Sequence, residues 1–128
     1  MMSISLNHTI ISSQDKQAAA LFLSELLGLS APVRLGPFVA VQVGDTSLDF
    51  ASSDGEITSQ HYAFLVSESE FDEIFARIQQ RQLPYWADPG RSKRGKINHW
   101  DDGRGVYFAD PSGHLLEIIT RPYGSAAN

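Results

Sequence analysis

Residues 105–120 read Gly105-Val106-Tyr107-Phe108-Ala109-Asp110-Pro111-Ser112-Gly113-His114-Leu115-Leu116-Glu117-Ile118-Ile119-Thr120. Two β-prone runs, Gly105 to Ala109 and His114 to Thr120, flank an Asp-Pro-Ser-Gly segment whose Pro and Gly positions predict a type I turn. Alternation along the second run sets Leu115, Glu117 and Ile119 on one face and Leu116, Ile118 and Thr120 on the other. Glu117 is thus a carboxylate flanked by apolar side chains on both faces. Desolvating it alone costs several kcal/mol, so it must be paired, protonated or bound to a cation. An ion pair with Arg104 or Arg121 is the ordinary solution, and a metal is the other if further ligands reach it.

Upstream, His61 to Val66 reads as a strand opened by a histidine. Ser67 and Glu70 form a capping box, and Phe71, Ile74, Phe75 and Ile78 recur at helical spacing, which predicts a helix from about Glu68 to Gln82, closed by Pro84. The polar stretch from Asp88 to Gly103 is long for a compact domain and suggests a functional lid or mobile loop. The first half has the same order. Ile4 to Ile11 is a strand candidate that places His8 mid-strand, and Asp15 to Leu27 is a capped helix that Gly28 stops. Phe38 to Val43 and Thr46 to Ala51 are short strands joined by the hairpin-type pair Gly44-Asp45. His8 and His61 are offset by 53 residues, and the helix starts by about the same. The chain therefore reads as a tandem βαβββ repeat within one α+β domain, with one module over about residues 1–56 and the other over about 57–124.

Composition narrows the chemistry. A chain of 128 residues with 42% apolar and 20% charged residues has the makeup of one folded domain. Ten Lys+Arg against fifteen Asp+Glu, a net charge of −5, argue against nucleic acid or an anionic membrane as the main partner. The absence of cysteine removes disulfides, thiolate metal sites and a cysteine nucleophile, so any metal must sit on His, Asp or Glu. The apolar stretch Ala18 to Ala31 is interrupted by Glu25 and is too short to span a bilayer, so the expectation is a soluble, cytoplasmic protein.

A pseudo-twofold arrangement would bring His8 and His61 to one central site with Glu117. Two imidazoles and a carboxylate suit Fe(II), Mn, Co, Ni or Zn and leave coordination positions open for substrate. Taken singly, a strand histidine is more often a satisfied core residue. Asp49 stands in the first half roughly where Glu117 stands in the second and is a candidate fourth ligand, although a hairpin strand near an edge would expose it. His99, beside Trp100 in the long loop, is either a general acid or base or a solvated loop residue. His114 reads as a turn residue. Tyr107, Trp86 and Phe64 line a pocket or fill the core. Seven of the ten basic residues lie between Arg77 and Arg104, where they either steer an anionic substrate or are simply solvated.

The layout and the strand–turn–strand from Gly105 to Ile118 resemble the vicinal oxygen chelate superfamily of glyoxalases, bleomycin-resistance proteins, fosfomycin-resistance enzymes and extradiol dioxygenases. Asn7-His8-Thr9, the helix ending Glu25-Leu26-Leu27-Gly28-Leu29, and His61 extend the resemblance over nearly the whole chain. It implies an eight-stranded, partly closed, curved mixed sheet with the helices outside. It also implies a divalent metal on His8, His61 and Glu117, with Asp49 where glyoxalase-like members carry a fourth, glutamate ligand. The activity implied is that of a metal-dependent lyase, isomerase or dioxygenase acting on a small oxygenated metabolite, with His99 or Tyr107 assisting proton transfer, in a homodimer. The competing reading is a metal-free bleomycin-resistance-type protein that sequesters a small molecule.

Overall fold

The computed structural model describes residues 3–126, divided into two compact units between Thr58 and Ser59. The first contains β1 (His8–Ser13), α1 (Lys16–Leu27), β2 (Val33–Leu35), β3 (Phe38–Val43) and β4 (Thr46–Ser52). Its four-stranded sheet has the order β1-β4-β3-β2, with β1 parallel to β4 and the other pairs antiparallel. The second contains β5 (His61–Leu65), α2 (Glu68–Gln80), β6 (Tyr85–Trp86), a 3-10 turn (Trp100–Asp102), β7 (Gly105–Ala109) and β8 (Leu115–Ile119). Its order is β5-β8-β7-β6, again with only the first pair parallel. The βαβββ order thus occurs twice, with eight strands in two mixed sheets.

Local chemistry accounts for the elements. The Asp15 carboxylate accepts from the amides of Gln17 and Ala18, both at 3.1 Å, and Gly28 ends α1 at φ 72°, a left-handed conformation that favours glycine. α1 buries Ala19, Ala20, Leu23 and Leu26 over the sheet side that carries Val39, Val41, Leu48 and Phe50. Each such leucine contributes about 1.5–3 kcal/mol of burial. The capping box of α2 is complete, with the Glu70 amide donating to Ser67 Oγ at 3.1 Å and the Ser67 amide donating to Glu70 Oε1 at 2.8 Å. Phe71, Ile74 and Ile78 are buried, and Phe75 meets Tyr85 edge-on at 5.1 Å.

Several expectations shift. β1 begins at His8 rather than Ile4, because its partner β4 begins at Thr46; His8 therefore opens the strand. α2 ends at Gln80, with Arg81 as its cap. Two short strands, β2 and β6, complete the βαβββ units beyond the six runs placed by residue in the sequence. The stretch 88–103 is tied down rather than loose. The Asp88 carboxylate accepts from the Ser92 and Lys93 amides, the Gly95 amide donates to the Tyr85 carbonyl at 2.8 Å, and buried Asn98 bridges to Gly105. The Asn98 side-chain amide also donates to the Ala87 carbonyl at 2.9 Å. No helix among the described residues is long and apolar enough to cross a membrane.

Candidate metal centre

β8 is an interior strand, so Glu117 has a neighbour on each side: Ala63 on β5 and Tyr107 on β7. Glu117 is 0% exposed. The ion pair with Arg104 or Arg121 does not form. Arg104 instead reaches the carboxylates of Glu68 and Asp72, at 2.8 Å each, over the Phe71 ring, and Arg121 donates to the Ser125 carbonyl. These arginines sit toward the helix and the tail, and the face carrying Glu117 is occupied by His61 and two tyrosines.

His61 precedes Ala63 by two residues on the same face, and its Nε2 lies 3.1 Å from Glu117 Oε1. Its Nδ1 lies 3.0 Å from the Leu115 carbonyl. A carbonyl only accepts, so Nδ1 carries a proton, and in the neutral ring Nε2 then turns a lone pair toward a carboxylate oxygen. Two such acceptors face one another only when they share a cation, either a proton or a metal. Ligands about 2.1 Å from one ion at about a right angle stand about 3 Å apart. The pair therefore fits a divalent metal by donor type and by spacing.

Glu117 Oε2 is occupied separately. The Tyr123 hydroxyl donates to it, and the Tyr107 hydroxyl lies 2.8 Å from that of Tyr123. Tyr107 stacks on His61, with centroids 5.8 Å apart, and Trp100 sits edge-on to Tyr107 at 6.2 Å. Burial pushes the Tyr107 phenol up to about 12, and burial together with the bond to Glu117 raises that of Tyr123. Both are neutral hydrogen-bonding groups at neutral pH.

The first unit repeats the register. His8 pairs with Ser47 and Ile10 with Asp49, so His8 and Asp49 occupy the diagonal that His61 and Glu117 occupy in the second unit. His8 is exposed, with Nδ1 2.7 Å from Asn7 Oδ1. Asp49 is buried, contrary to the expectation of an exposed edge position, because β1 and β3 enclose β4. Ser47 donates to its Oδ1 at 2.6 Å. Among the described residues, no three His, Asp or Glu side chains gather into a metal-binding group.

His99 is exposed, and lines a cavity of about 410 Å³ with Lys93, Lys96, Ile97 and Trp100. His114 directly follows the Asp110–Gly113 turn and is buried. It is 1% exposed, and its Nδ1 accepts from the Gln60 amide at 3.0 Å, because the Asp110 carboxylate closes the turn and directs the ring inward. Tyr123 is the residue that sequence reasoning missed. It follows β8 in a Pro-Tyr-Gly segment that carries no periodic signal.

Paired βαβββ units with a histidine–carboxylate diagonal on a parallel strand pair define a vicinal-oxygen-chelate type of fold. Residues 5–118 match the model of the Glyoxalase/Bleomycin resistance protein/Dioxygenase superfamily, and the chain belongs to that family. It is 31% identical over 121 residues to the glutathione transferase FosA of Serratia marcescens, across 89% of this chain and 79% of that protein. It is also 31% identical over 124 residues to the metallothiol transferase FosB of Shouchella clausii (strain KSM-K16), across 90% and 79%. Among solved structures, Oxidase ChaP-H1 is 58% identical with a TM-score of 0.93, over 95% of this chain and 99% of that one. Oxidase ChaP-H2 is 55% identical with a TM-score of 0.95, over 98% and 100%.

Proposed function

We propose that this protein is a metal-dependent oxidase of the glyoxalase/dioxygenase type, acting on a small molecule with neighbouring oxygens and using dioxygen as oxidant. The observation that carries it is the 3.1 Å approach of His61 Nε2 to Glu117 Oε1, two acceptor groups that call for a shared cation. His61 and Glu117 would hold a divalent metal, and His8 and Asp49 are the corresponding donors of the first unit. When bound, such an ion supplies Lewis-acid polarisation of the substrate's paired oxygens. The likeness to two oxidases at 55–58% identity favours oxidation over the thiol transfer named for the 31%-identical relatives.

The chain's own residues complete the reading. Tyr107 stacks on His61 and fixes its ring plane, while Trp100 screens the phenols of Tyr107 and Tyr123. Lys93 and Lys96, beside Trp100 on the cavity wall, favour a substrate that bears an anionic group. A homodimer belongs to the same proposal. Ile10, Val33 and Leu35, each more than half exposed in the first unit, are apolar surface that it would cover.

The test is metal content by plasma mass spectrometry on untagged protein beside His8→Ala and Glu117→Ala, followed by oxygen-electrode assays of metal-loaded protein with catechol- and hydroxyquinone-type compounds. Near-stoichiometric Fe, Mn, Co, Ni or Zn lost in both variants, with substrate-dependent oxygen uptake, is expected. A wild type that stays metal-free after anaerobic incubation with each metal overturns the proposal.

A further inference from the structure

The C-terminal tail reaches into the centre of the second unit. A carboxylate accepts and does not donate, so the Tyr123 proton is committed to Glu117 Oε2. The hydroxyl–hydroxyl contact of 2.8 Å between Tyr107 and Tyr123 must then run the other way, with Tyr107 donating to Tyr123. Two phenols in series thus point their protons toward one carboxylate oxygen, and the other oxygen is left facing His61 Nε2.

The tail is held in this place by its own contacts. Arg121 Nη2 donates to the Ser125 carbonyl at 3.2 Å, the Ser125 amide to the Pro122 carbonyl at 3.1 Å, and the Ala126 amide to Asp101 Oδ1 at 3.2 Å. The Trp100 ring lies 6.1 Å from that of Tyr123 and closes the outer side. Tyr123 also lies beyond residue 118, where the match to the superfamily ends. The donor to Glu117 Oε2 is therefore supplied by the segment that follows β8.

We propose that Tyr123 is a positioning residue that ties off Glu117 Oε2, so that the carboxylate offers Oε1 alone to the metal, and that Tyr107 holds Tyr123 in the donating orientation. This rests on the reading of Glu117 as a metal ligand. Partners that orient a ligating group in this way typically account for a 10–100-fold difference in metal affinity. A carboxylate freed of its second donor is able to swing and to present both oxygens, which alters the ion's coordination as well as its affinity.

The experiment is a Co²⁺ titration of chelator-stripped full-length protein at constant pH, followed by calorimetry and by the visible absorption of bound cobalt. The variants are Tyr123→Phe, His61→Ala and, as a control, Tyr62→Phe, which removes a phenol hydroxyl from the opposite face of the same sheet. Tyr123→Phe is expected to weaken Co²⁺ binding about 10–100-fold and to change the cobalt spectrum, while Tyr62→Phe changes neither and all variants keep the wild-type circular dichroism. A Tyr123→Phe Kd within about twofold of wild type, with His61→Ala abolishing binding, overturns the role of Tyr123 and leaves Glu117 a ligand. A wild type that binds no Co²⁺ overturns both.

Discussion

Glu117 lies two residues along β8 from Leu115, the residue paired with His61, and this offset brings Glu117 Oε1 to 3.1 Å from His61 Nε2. The same offset separates Asp49 from Ser47, the partner of His8. The parallel pair in each unit therefore presents an imidazole and a carboxylate on one face, and the two diagonals differ by one methylene in the acid.

Replacing Glu117 by Gln keeps the side-chain volume and an acceptor for Tyr123 but removes the charge. Metal content is expected to fall more than tenfold, while the unfolding midpoint holds or rises because a desolvated charge is gone. Plasma mass spectrometry and a thermal melt in chelator check the two halves.

Asp49→Asn tests the shorter diagonal. Asp49 already accepts from Ser47 at 2.6 Å, so its loss is expected to weaken metal binding several-fold, well short of the effect of Glu117→Gln. Competition with a chelator of known affinity ranks the two variants.

Alkaline titration reports on the tyrosine pair. Tyr107 is raised by burial from 10.0 to about 12, so the folded state retains the proton that the unfolded chain releases. The associated stability is complete below about pH 10 and is lost as pH rises toward about 12. Phenolate absorbance near 295 nm is expected to appear late in wild type, and Tyr107→Phe removes part of that late step.

Lys93→Gln with Lys96→Gln is expected to weaken binding of a carboxylated aromatic about 3–10-fold at low ionic strength, with little effect on its uncharged analogue. The difference fades in about 0.5 M salt, where screening shortens to a few ångströms. Quenching of Trp100 fluorescence measures both.

Asn98→Ala leaves the Ala87 carbonyl without its 2.9 Å donor in a buried setting. A loss of about 1–3 kcal/mol is expected in urea unfolding, with faster amide exchange between Asp88 and Gly103.

Strand alternation around Glu117, the capping box at Ser67 and the stop at Gly28 are local, period-based signals, and they locate the helices and most strands. The His61–Glu117 pair was legible because a carboxylate inside an apolar strand needs a partner and the repeat pointed to a histidine. Its arginine alternatives failed for a reason that strand alternation does not carry, since Arg104 is captured by Glu68 and Asp72 of α2. The exposure expected of Asp49 fails because strand order, and not composition, decides which strands are interior. Tyr123 depends on the tail folding back, and no periodic pattern encodes that.

The two groups of the second diagonal are 56 residues apart in the chain. They meet only when β8 docks beside β5, a long-range parallel pairing of the kind that forms slowly. A chain truncated before β8 has no such pair to offer. The facing imidazole and carboxylate are thus a product of tertiary docking, and neither strand carries the pair by itself.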